Sequence, residues 1–516
     1  MKVLTQFIHS ILMDQTNQLE QIQSFKGAYP RQLWSLFFSE MWERFSFYGM
    51  RGMLTIFMVD VLFFNEHDAN LQYGATQAFV YAFTFIGGLF ADKILGFRKS
   101  LFWGGILMIV GSCILAFDPK THFFLGIAFT IIGTGFFKPN ISTMVGSLYK
   151  AGDPRRDAGF SMFYAGINIG ALLGGYFCVA IGKQEMFTSF IPADLSWNVA
   201  FGLAAVVMSI SLITFIFTKR SLGPIGLSPL KEKANTTVGR YYEFAVYIGT
   251  ILLIPVIMTM VSKTSYTDLF MAIIGPVTLL YLGYEMMRVP VSDRKKLLAA
   301  LVFIVFSILF WAIFEQAGGS LAIFAAKNLD NKVLGIPLDP NGVNNSANSF
   351  FVIIFSFIIG GVWIWLAKRK KEPNTVIKFG LGFIFLALAY YVFYSTRFFT
   401  NAAGVTSLNV FTLAYFVITI GELLISPIGL SIMTKLSPVK LQGMMMGMWF
   451  LASAYGQYVA GILGANMSVP GETASNMDRL LSYTSGYGQL AIYALVAGIL
   501  LIVISPWVRK LMQEVK

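Results

Sequence analysis

The chain has 516 residues, of which 56% are hydrophobic, 16% aromatic and only 12% charged. A soluble domain carries about a quarter charged residues, so this composition excludes a water-covered globule and leaves lipid as the solvent. A net charge of +12 would suggest nucleic acid for a soluble chain. Here the Lys and Arg stand in short loops between apolar runs, where membrane topology accounts for them.

Residues 1–33 mix charges and Gln with Ile and Leu, without an apolar core before a small-residue cleavage site. They read as a cytoplasmic N-terminal extension rather than a signal peptide, with a membrane-surface amphipathic helix as one form for it. A spanning helix needs about 20 mostly apolar residues. Such runs lie near 34–62, 75–95, 100–118, 122–148, 157–181 and 197–218, then 241–261 and 268–288. Six more follow near 297–325, 344–367, 376–396, 407–433, 440–464 and 488–508. Basic clusters follow every second run: Lys93/Arg98/Lys99, Lys150/Arg155/Arg156, Lys219/Arg220 with Lys231/Lys233, and Arg294/Lys295/Lys296. Lys368–Lys371, Lys435/Lys440 and Arg509/Lys510 continue the series. The positive-inside rule then places both termini in the cytoplasm. The alternation stays in phase when 241–288 contributes two crossings. The expected fold is therefore an all-α polytopic membrane protein of 14 transmembrane helices. A six-helix bundle at 34–220 precedes a linker with two additional helices at 221–296, a second bundle at 297–510 and a cytoplasmic tail at 511–516.

Two sets of six resemble the major facilitator fold, in which related bundles surround a central cavity. The stretch Gly88-Leu-Phe-Ala-Asp92-Lys93-Ile-Leu-Gly96-Phe-Arg98-Lys99 resembles the signature loop of that superfamily. Cys113 and Cys178 stand alone in apolar segments, and His9, His67 and His122 show no ligand spacing, so no metal site is expected. No nucleotide loop or nucleophile motif points to an enzyme.

An ionisable side chain at mid-bilayer costs several kcal/mol, so it should face a cavity or a partner. The first run places Glu40, Glu43/Arg44, Tyr48 and Arg51 at i, i+3, i+4, i+8 and i+11, on one helix face. Lys138 falls in the fourth run, Glu315 in the seventh core helix and Glu422 in the tenth, while Asn168 adds an uncharged polar group in the fifth. Helices 1, 4, 7 and 10 line the cavity of the major facilitator fold. A Lys138–Glu422 pair would be a bridge that breaks and reforms across it. A buried carboxylate whose partner cation moves away takes up a proton more readily, which makes Glu40, Glu43 and Glu315 the candidates for proton coupling.

At these residues the chain resembles the proton-dependent oligopeptide transporter family, bacterial type. The first-helix motif reads Glu40-x-x-Glu43-Arg44-Phe45-Ser46-Phe47-Tyr48, and the fifth-helix motif Phe160-Ser-Met-Phe163-Tyr164-Ala-Gly-Ile-Asn168-Ile-Gly170-Ala. Phe-Lys138-Pro-Asn, Phe-Trp311-Ala-Ile-Phe-Glu315-Gln, Gly-Glu422-Leu-Leu-Ile-Ser-Pro427 and Gln442-Gly-Met-Met-Met-Gly-Met-Trp449 are similar too. The resemblance implies symport of protons with di- and tripeptides across the bacterial inner membrane, driven by the proton gradient and needing no cofactor. It implies that Arg44, Arg51 and Lys138 take the peptide carboxylate and Glu422 the amine. Asn168 and Asn348 would hold the peptide backbone, and Tyr48, Tyr81, Trp311, Trp449 and Ser453 would line side-chain pockets. Phe47 replaces the first Tyr of the family's pair, and Gly74 stands where some animal members have His, leaving proton handling to carboxylates. The rival within the same fold moves nitrate or another small organic anion; retention of Glu40 and Glu43 speaks for peptides. A receptor or channel subunit fits less well, because all four lining helices carry charge.

Overall fold

The computed structural model describes residues 16–150, 152–230, 237–425, 429–469 and 474–515. Residues 1–15 of the expected extension, the pair Lys231/Lys233, Ser426-Pro427 and Lys516 lie outside the described residues. Helices account for nearly all of the rest. In chain order they are α1 (Arg31–Asp60), α2 (Glu66–Phe90, prolonged by a π turn at Ala91–Leu95), α3 (Phe97–Phe117), α4 (Phe123–Ser147), α5 (Arg155–Gly182) and α6 (Ser196–Thr218). Next come α7 (Thr237–Ser262) and α8 (Thr264–Met287). The C-terminal part holds α9 (Val291–Phe314), α10 (Ser320–Asn328), α11 (Pro340–Lys368), α12 (Thr375–Ser395), α13 (Leu408–Ile425), α14 (Gly429–Leu436), α15 (Gln442–Met467) and α16 (Asn476–Met512). A short antiparallel hairpin, Lys332–Val333 with Ile336–Pro337, precedes α11.

Among the described residues, 12 stretches are long and apolar enough to cross a membrane. The helices α1 and α15, of 30 and 26 residues, are also long enough but are diluted by polar side chains. Together they make the expected 14 crossings of an all-α membrane protein. Several helices outrun their apolar stretches because their first turns are capped. In α16 the Ser475 hydroxyl accepts from the Asp478 backbone N–H while the Asp478 carboxylate accepts from Ser475 N–H, so the helix starts at Asn476 rather than near 488. Asp339 accepts from Gly342 N–H at 2.6 Å, with Pro340 as the first helical residue of α11, so that one N–H of the first turn is capped and another is absent.

The run at 297–325, expected as one helix, is broken. The last turn of α9 passes into a 3-10 turn at Glu315–Gly318, and α10 restarts at Ser320. A break within lipid is tolerated only where the freed backbone groups find partners. Here the carbonyls of Ile313, Ala317 and Gly318 accept from the Tyr390 hydroxyl, the Asn344 amide and the Thr55 hydroxyl respectively.

Packing divides the chain into two units. One comprises residues 1–50, 83–174 and 194–258; the other 51–82, 175–193 and 259–516. In the first, α1 and α5 meet along Gly166, Gly170 and Gly174. A Cβ on Gly170 would stand 2.1 Å from the Met41 carbonyl oxygen, and one on Gly174 2.1 Å from that of Phe45. Small residues at every fourth position let the two backbones touch. The signature loop belongs to this unit as well. Gly96 turns it at φ +76°, and the Arg98 guanidinium donates to the carbonyls of Gly223 and Ile225, both at 2.6 Å. The end of the extension docks nearby, with the Gln23 amide donating to the Ser147 carbonyl at 3.0 Å and the Arg155 guanidinium lying 3.9 Å over the Phe25 ring.

In the second unit the C-terminal helices pack around a core that includes Phe303, Phe324, Phe383, Phe393, Tyr415 and Tyr487. The two helices α7 and α8 fall mainly in different units. On α7, Glu243 pairs with Lys99 at 2.6 Å and Thr250 accepts from the Trp103 indole at 3.1 Å, inside the first unit. On α8, Asp268 accepts from the Tyr458 hydroxyl at 2.7 Å and the Met271 carbonyl from that of Tyr455, inside the second.

Candidate functional site

Two clusters of buried charge occupy successive parts of α1. The upstream cluster lies in the first unit. Its Arg44 guanidinium pairs with Glu40 at 3.1 Å and with Glu43, and all three side chains are at most 3% exposed. Their spacing of one helical turn brings them together, and the backbone contact at Gly170 presses α5 against the Arg44 Cβ. The Phe47 ring stands 5.2 Å from the same guanidinium, so the residue that departs from the family pattern makes a cation–π contact there. Glu40 Oε2 and Glu43 Oε1 are buried without a hydrogen-bond donor among the described residues. Lys138 lies within electrostatic reach of both carboxylates. It precedes Pro139, which has no N–H to return to the helix. Tyr48 is half-buried one turn beyond Arg44. The Asn168 amide is buried and donates back to the Tyr164 carbonyl at 2.9 Å.

The downstream cluster lies in the second unit. Arg51 pairs with Glu315 at the break between α9 and α10 and donates from Nε to the Tyr73 hydroxyl at 2.6 Å. The break is what turns the Glu315 carboxylate toward Arg51: it sits where the α-helix passes into the 3-10 turn. In the same unit the Asn348 amide donates to Glu422 at 2.7 Å and to the Thr419 hydroxyl at 3.1 Å. Among the described residues of this unit, no cation pairs with Glu422. Trp449 is buried against Gly429, whose Cβ would fall 2.3 Å from the indole. Ser453 donates to the Trp449 carbonyl at 3.3 Å, one turn along. Trp311 stacks edge-on with Phe310 and Phe314, and Tyr81 packs with Ala78, Met271 and Ala454.

Three groupings thus emerge among the residues singled out in the sequence: Glu40, Glu43 and Arg44 with Lys138; Arg51 with Glu315; and Asn348 with Glu422. Tyr73, Thr419 and the Asn344–Tyr415 pair, at 2.7 Å, were not legible beforehand. Tyrosines and threonines are common in membrane helices, so nothing in their spacing set them apart. Among the described residues, no group of three or more His, Cys, Asp or Glu could hold a metal ion.

The sequence profile of the POT family (PTR2) matches residues 98–480. The chain belongs to the POT family. Members of this family are membrane transporters and not enzymes, and so is this protein. The peptide transporter YePEPT of Yersinia enterocolitica is 32% identical over 510 residues, covering 94% of this chain and 96% of its own. The dipeptide and tripeptide permease A of Edwardsiella piscicida is 28% identical over 493 residues, covering 95% and 97%. Among solved structures, the peptide transporter POT in complex with sulfate is 31% identical with a TM-score of 0.77, covering 96% of this chain and 99% of its own. A glutamate-to-glutamine mutant of the peptide transporter POT, in complex with alafosfalin, is likewise 31% identical with a TM-score of 0.78, covering 97% and 99%. The major facilitator arrangement expected of the POT family therefore holds for this chain.

Proposed function

We propose that this POT family member imports di- and tripeptides together with protons by alternating access of two six-helix bundles, 34–220 and 297–510. On this reading both termini face the cytoplasm of a bacterial inner membrane. The observation that carries it is the state of Glu422: a carboxylate inside the membrane-spanning part, held by the Asn348 amide, which also donates to the Thr419 hydroxyl, rather than by a cation of its unit. Such a group is ready for an incoming ammonium, while Lys138, Arg44 and Arg51 supply the charge for the opposite terminus of a zwitterion. Asn168 and Asn348 suit a peptide backbone, and Tyr48, Tyr81, Trp311, Trp449 and Ser453 suit side chains.

The charge count of the upstream cluster supplies the coupling. Two carboxylates face Arg44 and Lys138. When a peptide carboxylate draws the Lys138 ammonium, Glu40 and Glu43 are left with one cation, and one proton restores neutrality. The Arg51–Glu315 pair works in the same sense, since a proton on Glu315 frees Arg51. The energy source is the proton gradient, with no cofactor in the scheme. Reconstitution into liposomes with an inward proton gradient tests this. Labelled dialanine should accumulate, with di- and tripeptides competing and free alanine and tetra-alanine not competing. A folded protein that accumulates nothing, or that prefers nitrate, overturns the reading.

A further inference from the structure

One face of α2 has no part in the scheme above. Glu66, Asn70 and Tyr73 follow one another at i, i+4 and i+7, a spacing that stacks them on a single helix face, and all three are buried. They span about 10 Å along the axis at 1.5 Å per residue. At the inner end the Tyr73 hydroxyl accepts from Arg51, the partner of Glu315. At the outer end Glu66 lines a cleft of about 750 Å³ that also exposes Asp60, His67, Lys327 and Arg479. In the middle, the Asn70 carboxamide donates to the Glu66 carbonyl at 2.8 Å, but its oxygen is buried with no donor among the described residues. That oxygen packs against two glycines: a Cβ would come within 2.7 Å of it at Gly319 and within 2.4 Å at Gly464. A buried carbonyl oxygen requires a donor, and a water molecule is the usual one where the protein supplies none.

We propose that Glu66 takes up the transported proton from the extracellular side and that this face of α2 delivers it to Glu315. The inference rests on the proton-coupled reading above. Arg479 and Tyr483 of α16 face the Glu66 carboxylate directly, Tyr483 at 2.7 Å, and Tyr487 lies within its electrostatic reach. In the cleft, Asp60 pairs with Lys327 at 2.8 Å and His67 turns to Asp68 at 3.2 Å, so those charges are engaged elsewhere. A proton from water in the cleft adds to a Glu66 oxygen and loosens its pairing with Arg479. The proton then passes to a water that we propose is recruited at the Asn70 oxygen. The Tyr73 hydroxyl accepts it on oxygen while giving up its own hydrogen, which forms an O–H bond on Glu315 and releases Arg51. One proton enters and one is delivered, and Glu66 returns to a carboxylate paired with Arg479.

Two assays in proteoliposomes test the route: dialanine uptake driven by a proton gradient, and counterflow of labelled against unlabelled dialanine without one. Glu66→Gln should reduce gradient-driven uptake at least tenfold, abolish its response to external pH, and leave counterflow within about twofold of the parent. Glu66→Asp should recover most of the driven uptake. Arg479→Gln should keep the drive, because it removes the partner of the Glu66 carboxylate and not the carboxylate itself. If Glu66→Gln does not fold, Asn70→Leu carries the same expectation, since it interrupts the route and leaves both ends intact. The proposal is overturned by driven uptake of Glu66→Gln with the parental pH response, by joint loss of uptake and counterflow in a folded variant, or by Arg479→Gln behaving as Glu66→Gln does. Failure of the parent protein itself to accumulate dialanine is a separate result, which removes the symport reading and this inference with it.

Discussion

Two arginines two helical turns apart on α1 are placed in very different surroundings. Arg44 is sealed among Glu40, Glu43 and the Phe47 ring. Arg51 is shared between one carboxylate and one hydroxyl, at a helix break. The first cluster has more negative charge than its arginine can neutralise, so its state depends on what else approaches. The second is balanced, so its state depends on whether the pair is made or broken. On the proposed scheme the upstream cluster senses cargo charge and the downstream one reports protonation.

Removing the sealed cation should have the largest effect. Arg44→Leu leaves two carboxylates buried without their partner, a loss of about 3–5 kcal/mol. Thermal unfolding in detergent should fall sharply, and driven uptake and counterflow should vanish together; a variant of parental stability would show that the cluster is solvated after all. Glu315→Gln comes next. It should cut gradient-driven uptake by about a hundredfold while sparing counterflow, and a variant that still concentrates dialanine against a gradient would remove Glu315 from the coupling. Tyr73→Phe deletes one hydrogen bond to a charged group, worth about 1.5–3 kcal/mol, and should slow driven uptake by roughly tenfold; an unchanged rate would mean that Arg51 needs only Glu315. Phe47→Tyr should matter least. The ring contact with Arg44 survives the added hydroxyl, so dipeptide affinity should stay within about threefold, and a larger change would point to a polar contact that the phenylalanine lacks.

These contrasts also show what a chain of letters makes visible. Glu40, Glu43, Arg44, Lys138, Glu315 and Glu422 stand out because charge in an apolar run has few cheap explanations. The fourteen apolar stretches are as plain, each being long enough to cross a bilayer. Three features were hidden for physical reasons. The interruption at Glu315–Gly318 is sustained by side chains from α1, α11 and α12, far away in sequence, so no local signal announces it. The early start of α2 at Glu66 and of α16 at Asn476 depends on capped polar turns, which a search for apolar runs discards. Tyr73 belongs to a residue type too ordinary in membranes to be noticed until Arg51 is seen bonded to it.

The glycine stripe of α5 has a consequence for how steadily the upstream cluster is held. Where most helix pairs are spaced by side chains, which hop between rotamers and compress, α1 and α5 come closest through the main-chain carbonyls of Met41 and Phe45 at Gly170 and Gly174. Their separation is therefore a fixed gauge rather than an average over mobile parts. A single added methyl at position 170 would act as a shim, displacing the helix that carries Arg44 without touching any charged atom. Mechanical tolerance, as much as electrostatics, is written into the fifth-helix motif.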